Sequence, residues 1–507
     1  MLNTQKELSQ LTLTGAMNIL DKAISVINPK NGLRRLSFRD KIRSYESASF
    51  GRRTKMFERA TNAGPNWEIS GALLTLRNRS REMVRNNGWA KRAIESITGN
   101  VVGEGIRPAP QGTKNQVKKI KTLWKAWAES TNCDWYGKNT FYGLQDLAMR
   151  SIAEGGDILV VKRRVLPTKE NPLPIKLQLL EGDQLDHYRD FTQFDSGSYC
   201  RLGVQFDKEG VLEGYWIYDT HPTDGTGFFK QVNSRFISKD DCIHVYELLR
   251  IGQVRGVPMG ISSFIKLGDF SDYEDAQLLR QKIAACYTAF ISGDDNPSLN
   301  DVTEKIEPGL IQYLKPGEQI TFGNPPPAEN YSEYSKKILQ GIAAAYGITY
   351  EMLTMDYSNV NFSSGRMAKI DISKNFKRLQ YNMLVPQLCV PIWDWFIDAC
   401  IISGLTTTRV QCSSTDWTAP RVQQLDPTKE TAARISAIQA GLTSLSECLR
   451  EDGRDRGEFL EEYAEDFNEC KKYGLTLSCF ATPKTDLVNS TEQEVPLNNE
   501  KDGNKGN

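Results

Sequence analysis

The sequence has few of the side chains from which metal and catalytic sites are built. It contains three histidines, His187, His221 and His244, and its ten cysteines include no C-x-x-C pair. A structural zinc site needs Cys or His ligands paired at short spacing, so this pattern excludes the common zinc-binding folds. Lys plus Arg and Asp plus Glu number 63 each. The whole chain therefore has no net electrostatic attraction for nucleic acid or for an anionic membrane.

Long apolar runs are missing as well. The longest candidate, "WDWFIDACIISGL", contains Asp394 and Asp398 and is shorter than the ~18 to 20 residues of a membrane span. The first residues lack the basic start and continuous apolar core of a secretory signal. Scattered cysteines without such a signal are typical of a reducing compartment. The sequence thus predicts a protein without membrane contact, located in the cytoplasm or in a particle assembled there.

Motifs for phosphate binding and nucleophilic catalysis are not found. The chain has no G-x-x-x-x-G-K-[ST] loop, no G-x-G-x-x-G between strand and helix, and no G-x-S-x-G elbow. "SFIK", Ser263 to Lys266, matches S-x-x-K without its companion motifs. The carboxylates between Asp269 and Asp275 are better explained by solvation of an exposed helix face than by a metal. We therefore expect no catalysis, no metal and no cofactor.

What the sequence does contain is a local charge asymmetry. Residues 30–59 hold ten basic and three acidic side chains, whereas residues 426–469 hold twelve acidic and five basic ones. Opposite charge at the two ends suits a large assembly that meets different partners at different places. Two separately solvated faces would explain the same numbers.

The periodicity of apolar residues indicates an α+β protein. Residues 66–102 have helical spacing, and the region from Ile158 to Tyr246 consists of short β-rich pieces with hairpin signals. A long helix is predicted from Ile261 to Ile291, followed by an insert rich in Pro and Gly. The longest helical pattern extends from about Ser364 to Ser403, and Pro386 inside it is expected to produce a kink.

Several segments, taken in order, resemble the portal proteins of tailed bacteriophages, specifically the lambda family. The resemblance covers roughly residues 40–450, and a collinear set of this size is highly specific. The segments are "YESASFGRRTKMF", "SREMVRNNGWAKRAIESITGNVVGEGI", "LLEGDQLD", "GVQFDKEGVLEGYWIYDTHP", "CIHVYELLRIGQVRGVP", "DYEDAQLLRQKIAACYTAFI", "IEPGLIQYLKPGEQITFGNPP" and "AYGITYEMLTMDYSNVNFSSGR".

The resemblance implies a portal protein fold with a mixed α/β wing, long stem helices, a small α/β clip and a helical crown. Placed on this chain, it implies the following regions: an N-terminal basic arm at 1–60, the wing at 61–260, stem helix 1 at 261–291, the clip at 292–327, stem helix 2 at 328–346, a tunnel-loop region at 347–365, a long kinked helix crossing the wing at 366–404, a helical crown at 405–480 and a disordered tail at 481–507.

The function that the resemblance implies is a ring, usually of twelve copies, at one vertex of the viral capsid in the virion. Such a ring nucleates procapsid assembly and is the channel for packaging and ejection of double-stranded DNA. Its partners would be the major capsid protein and scaffold, the terminase large subunit, and later the neck or adaptor protein. The alternatives are a metal-dependent phage nuclease that uses Asp and Glu with Mg²⁺, and a scaffold protein unrelated to phage.

Charge fits the channel hypothesis. DNA that must slide cannot be bound tightly, because every neutralised phosphate adds affinity that movement has to overcome. A ring of twelve multiplies each channel-facing side chain by twelve. A neutral subunit with an acidic crown meets this requirement, and the basic residues from Arg34 to Arg59 would then face capsid, scaffold or neighbouring subunits.

Two sets of site residues follow from the resemblance. The stretch "MDYSNVNFSSGR", Met355 to Arg366, falls where portal proteins carry the tunnel loop, and its short uncharged side chains could touch phosphates through water without gripping them. Its predicted channel residues are Tyr357, Ser358, Asn359, Val360, Asn361, Phe362, Ser363 and Ser364. The residues predicted to dock the terminase on the clip are Glu307, Lys315, Glu318 and Gln319.

Overall fold

The computed structural model describes most of the chain between Ala60 and Leu475. The described residues are Arg52, Lys55, 60–169, 171–190, 192–224, 233–286, 290–292, 319–321, 331–406, 415–420, 427–452, 454 and 456–475. Nearly all of the expected basic arm, most of the expected clip and the expected tail lie outside them. The chain divides into two compact units, Met1–Glu68 and Ile69–Asn507. The second unit is described below, together with the first residues of the helix that enters it.

Four helices precede the sheets. The helix predicted over 66–102 is in fact two helices, because the side chain of Asn87 accepts hydrogen bonds from the N–H groups of Trp89 and Ala90 at 3.0 and 3.1 Å and so starts a new helix. Gly156, at φ 96°, ends the fourth helix in a backbone conformation that other residues rarely adopt. The helices are α1 (Pro65–Asn86), α2 (Gly88–Val101), α3 (Lys114–Ala128) and α4 (Phe141–Gly155).

The β-rich region predicted from Ile158 to Tyr246 forms two antiparallel sheets. A three-stranded sheet has the order β3-β2-β9, and a five-stranded sheet has the order β4-β5-β6-β7-β8. The predicted hairpin at "KEG" joins β6 to β7. The strands are β2 (Asp157–Arg164), β3 (Ile175–Glu181), β4 (Thr192–Gln193), β5 (Tyr199–Arg201), β6 (Val204–Phe206), β7 (Leu212–Tyr218), β8 (Ser234–Ser238) and β9 (Cys242–Tyr246).

Strand β2 is buried on both faces, and its side chains alternate between two hydrophobic clusters. Ile158 and Val160 belong to the large core formed with the helices. Leu159 and Val161 belong to a smaller core that the three-stranded sheet shares with the five-stranded one. The three-stranded sheet is therefore the middle layer between helices and a second sheet. This arrangement explains why β2 reads as a continuous apolar run.

Aromatic side chains fill the centre of the large core. Trp124 lies 5.0 Å from Trp393 and 4.9 Å from Phe396, measured between ring centroids, and it also contacts Trp417. Trp124 and Trp127 are both buried, which confirms the sequence-based expectation that they belong to the core. Offset and edge-to-face pairs of this kind stabilise a core beyond the area that they bury.

A short two-stranded sheet joins distant parts of the chain. Strand β1 (Arg107–Pro110) pairs antiparallel with β12 (Thr415–Thr418), and Pro108 lies opposite Trp417. The sequence predicted only a chain break at "RPAP". Proline can nevertheless occupy such an edge strand, because only one side of the strand forms ladder hydrogen bonds.

The first long helix after the sheets is shorter than predicted. After a 3-10 turn over Ile261–Ser263, α5 spans Phe264–Cys286 rather than extending to Ile291. Residues Phe290–Ser292 form strand β10, which pairs with β11 (Gln319–Thr321). Apolar spacing alone does not distinguish three aromatic or β-branched positions in a strand from the last turn of a helix.

The longest helix is continuous but changes its winding at Pro386. It consists of α8 (Phe362–Leu379), a π-helical segment (Gln380–Cys389) and α9 (Val390–Ile402). The wider π turns accommodate a proline whose ring and missing N–H do not fit a regular α-helix. By length and composition alone, Ser363–Ile402 could cross a membrane, with a mean hydropathy of 1.4 in its most apolar window. Half of that window is buried inside the protein, which accounts for its apolar character.

Between these long helices lie α6 (Tyr331–Tyr346) and α7 (Tyr350–Thr354). The C-terminal helices are α10 (Pro427–Gln439), α11 (Leu445–Glu451) and α12 (Arg456–Lys472). Arg434 of α10 pairs with Asp452, just after α11, at 3.0 Å. The α+β fold class is thus confirmed, whereas the limits of wing, stem, clip and crown stay predictions.

The described cysteines serve as buried apolar residues in the long helix. Cys389 and Cys400 are buried, as expected, and both are free thiols. Burial raises the pKa of the Cys389 thiol, so it stays protonated. The Cys286 side chain and Cys412, for which the same role was expected, lie outside the described residues.

Candidate functional site

The loop between α7 and α8 is anchored at the end of α7. Leu353 of α7 is buried in the large core, and Arg92 of α2 donates from Nε to the Met352 carbonyl at 3.2 Å. Just before α7, Asn375 of α8 donates from Nδ2 to the Gly347 carbonyl at 3.0 Å. The loop therefore leaves the body of the protein from a fixed point.

The tip of the loop is exposed and held by its own short-range hydrogen bonds. Asp356 Oδ1 accepts from the Ser358 hydroxyl at 2.6 Å and from the Ser358 N–H at 3.0 Å. These two bonds lower the pKa of the Asp356 carboxyl, so the tip carries one negative charge at neutral pH. Met355 enters the tip at φ 57°, a left-handed conformation that is rare for a side chain of its size. The loop thus has a defined shape although it is surrounded by solvent.

The far end of the loop is a helix cap. Asn361 accepts at Oδ1 from the Ser364 N–H at 2.8 Å, and its own N–H donates to the Ser364 hydroxyl at 3.2 Å. This reciprocal arrangement is a capping box, which satisfies two backbone donors at the start of α8. Gly365 assists because a Cβ there would lie 3.0 Å from Val360 Cγ1.

Helix α8 therefore begins at Phe362, earlier than the predicted start after Gly365. Phe362, Ser363 and Ser364 occupy the first helical turn, so the exposed loop proper is Met355 to Asn361. Sequence composition suggested that Ser and Gly continue the loop, whereas the cap provided by Asn361 makes them helical.

The structure brings the predicted loop residues together at one exposed place. Tyr357, Ser358, Asn359 and Asn361 are exposed, Val360 is half-buried, and nothing is described of the Phe362 side chain. Of the predicted docking residues, Glu307, Lys315 and Glu318 lie outside the described residues. Gln319 begins strand β11, but its side chain is not described.

Asp356 is the organising residue that the sequence reasoning missed. The signal was present in the sequence, because Asp-x-Ser is the pattern in which a carboxylate accepts from the backbone two residues later.

A second polar cluster is fully buried where α1, β2 and β9 meet. Asp157 of β2 accepts at Oδ1 from Arg77 of α1 at 2.7 Å and at Oδ2 from Arg255 at 2.6 Å. His244 of β9 lies 3.1 Å from the same Oδ2. Arg77 and Arg255 also donate to the Gly155 and Gly182 carbonyls. His244 was expected to be structural, and this geometry gives it such a role.

The charges of this cluster depend on one another. Burial by itself opposes ionisation of Asp157, but the charges of Arg255 and Arg77 and the hydrogen bond from His244 hold its pKa well below the usual value. Burial and the same two arginines lower the pKa of His244. We therefore assign a carboxylate to Asp157 and a neutral ring with a proton on Nε2 to His244.

One group of potential metal ligands occurs among the described residues: Glu181, Asp183 and His221. Arg81 already occupies its centre, because Nη2 lies 2.5 Å from Glu181 Oε2 and 2.6 Å from Asp183 Oδ2. A guanidinium in that position leaves no room for a cation, so the group does not favour the nuclease alternative.

Comparison with known proteins assigns the chain. The description "Phage portal protein, lambda family" matches residues 50–380. The chain belongs to the lambda family of phage portal proteins. The family suggested by the collinear segments is thereby confirmed.

Curated relatives of this portal protein carry the same name. The "Probable portal protein" of Halomonas phage phiHAP-1 is 26% identical over 428 residues, which cover 79% of this chain and 81% of that protein. "Portal protein B" of Escherichia phage lambda is 22% identical over 477 residues, 82% of this chain and 88% of that one. These relatives are named as portal proteins, not as enzymes.

Among solved structures, the neck of a native gene transfer agent particle computed with C12 symmetry contains a similar chain. It is 12% identical, with a TM-score of 0.43, and the match covers 79% of this chain and 98% of that one.

Proposed function

We propose that this portal protein assembles as a closed ring, of twelve copies, at one vertex of a phage capsid, and that DNA passes through the ring during packaging and ejection. Membership of the portal family is the observation that carries the proposal. The ring would nucleate procapsid assembly with the major capsid protein and scaffold. It would bind the terminase large subunit and then the neck or adaptor protein, in particles assembled in the host cytoplasm.

The long helices support association of several copies. Apolar side chains of α5 and α8 are more than half exposed in the single copy, among them Leu278, Leu279, Met367 and Ile370. Met367 and Ile370 lie three residues apart, on one face of α8. Neighbouring copies would cover these side chains, and burial of apolar area favours association.

Within this ring, we place the loop from Met355 to Asn361 against the DNA. Its exposed residues are short and uncharged, except Asp356, whose negative charge opposes tight binding of phosphate. Its shape is held by internal hydrogen bonds, so it could contact a moving duplex without rearranging. Tyr357 and Phe362 would not stack on bases, because a duplex exposes no base faces.

The sharpest test adds one positive charge per copy to this loop. Asn359→Lys changes an exposed side chain whose Nδ2 contacts only the adjacent Ser358 hydroxyl, at 3.4 Å, among the described residues. We expect rings of normal appearance in electron micrographs but a several-fold loss of packaged DNA, because twelve added charges would bind phosphate. Asn361→Lys would be a poorer choice, since it also removes the helix cap.

Asn233→Lys is the matched control, because Asn233 is exposed before β8, far along the chain from the loop. This variant should package normally. Normal packaging by Asn359→Lys would exclude contact between the loop and DNA, and a wild-type protein that never forms rings would exclude the proposal as a whole.

A further inference from the structure

A cleft of about 430 Å³ lies between β1, α3 and the start of α12. Five of its lining residues are basic and two are acidic. The basic ones are Arg107, Lys121, Lys125, Arg454 and Arg456, and the acidic ones are Glu129 and Asp416. The excess of positive charge indicates an anionic ligand.

Aromatic rings form part of the cleft wall and orient its cations. Trp124 and Tyr142 line it, and the Arg107 guanidinium lies 5.2 Å from the centre of the Tyr142 ring. Asp416 is engaged by Gln111, whose Nε2 donates to Oδ2 at 2.9 Å. An arginine held against a ring presents its N–H groups in a fixed plane, which suits a carboxylate.

Helix α3 extends the positive surface beyond the cleft. Its 15 residues include five lysines and no Asp or Glu. Lys118, Lys119 and Lys125 are exposed, and only Lys121 and Lys125 among the five line the cleft. The cleft is too small for a duplex, but side chains of a helix could enter it.

A helix with the complementary charge exists in the same chain. In α12, Glu462, Glu465, Asp466 and Glu469 follow the spacing i, i+3, i+4, i+7 and therefore share one face. All four are exposed in the single copy. We call these four residues the acidic stripe. A mostly exposed helix of 17 residues has little stability of its own, so a packing partner is expected.

The acidic stripe points away from the cleft of its own copy. Among the described α12 residues, Arg456 alone lines the cleft. Glu469 lies 13 residues further along the helix, about 20 Å at the usual helical rise. The partner of the stripe must therefore come from another molecule.

We propose that the acidic stripe of one copy binds in the basic cleft of the adjacent copy, and so links successive subunits at the C-terminal end. The proposal rests on the ring proposed above. The charges match, and a heterologous contact of this kind, repeated from copy to copy, is the type that closes a ring.

The test is a charge exchange between the two surfaces. We expect Lys121→Glu with Lys125→Glu, and separately Glu462→Lys with Glu465→Lys, each to raise the protein concentration needed for ring formation about tenfold, since like charges then meet across the contact. Combining all four changes should restore most of the loss. Ring fraction would be measured by sedimentation across a concentration series, with circular dichroism to check folding.

Lys118→Glu with Lys119→Glu is the matched control, since it makes the same charge change on exposed residues of α3 outside the cleft. Its ring fraction should equal that of the wild type. Rings unaffected by either exchange, or losses that the combination does not restore, would overturn the proposal. A DNA-binding loss on a mobility-shift gel without any change in ring fraction would assign the cleft to nucleic acid instead. A wild type that forms no ring would remove the proposed function as well, which distinguishes the two failures.

Discussion

The buried cluster around Asp157 and the exposed loop from Met355 to Asn361 both depend on polar side chains, but they use them in opposite ways. In the cluster, Asp157 is bonded to residues 80 and 98 positions away, and these bonds connect a helix, two strands and a loop. In the loop, hydrogen bonds span two or three residues. Long-range polar bonds in the core fix the relative placement of elements. Local bonds in solvent fix only the shape of one turn.

The largest effect is expected from removing the buried carboxylate. Asp157→Ala would leave two buried arginines uncompensated, and breaking a buried ion pair from one side costs about 3–5 kcal/mol. Chemical denaturation would measure the loss. The control is Asp371→Ala, which removes an exposed pair with Lys374 and should change stability by well under 1 kcal/mol. Equal effects of the two changes would erase the contrast between core and surface.

Acid should destabilise the cluster in two stages. The pKa of His244 is lowered from its usual 6.5, so the unfolded chain takes up a proton first as the pH falls below 6.5, and stability then falls by about 1.4 kcal/mol per pH unit for each such group. Burial and the charge of Arg255 also lower the pKa of His187, which adds to this first stage. The lowered pKa of Asp157 adds a second loss as the pH falls below the usual 3.8.

Unfolding midpoints measured from pH 7 to pH 3 would reveal both stages. His244→Gln removes one of the two groups of the first stage and should make the slope between pH 6.5 and 5 shallower. An unchanged slope in this variant would contradict the assignment of a neutral His244.

The smallest effect is expected in the loop. Asn361→Ala removes the cap of α8 and should cost about 1 kcal/mol. Asn359→Ala, two residues earlier, removes an exposed side chain that caps nothing and should leave the unfolding midpoint unchanged. The difference between these two asparagines would show whether the loop is held only by its ends, and identical midpoints would mean that the cap contributes nothing.

Local patterns in the sequence predicted local structure well. The β-rich region after Ile158, the burial of Trp124 and the winding change near Pro386 all follow from residues within one element. The end of α5 at Cys286 and the start of α8 at Phe362 were missed, because apolar spacing does not define where a helix stops.

Features formed by distant residues could not be predicted. The partners of Asp157 are separated from it by 80 residues or more, and nothing in a single sequence pairs them. Likewise "RPAP" has no strand pattern of its own. It becomes β1 only because Thr415–Thr418 lies beside it. For the loop, its place between two helices was predicted from the resemblance, whereas the role of Asp356 required the hydrogen-bond geometry.

The pairing of β1 with β12 also sets a timetable for synthesis. Arg107 lies opposite Thr418, so the aromatic core that Trp417 contacts stays open until more than 300 further residues have been made. At about 5–20 residues per second, the ribosome needs roughly 15–60 s for that stretch. A chain truncated anywhere in between exposes Trp124 and its neighbours and lacks the last strand. Completion of the subunit is thereby checked by its own folding, before any copy can join an assembly.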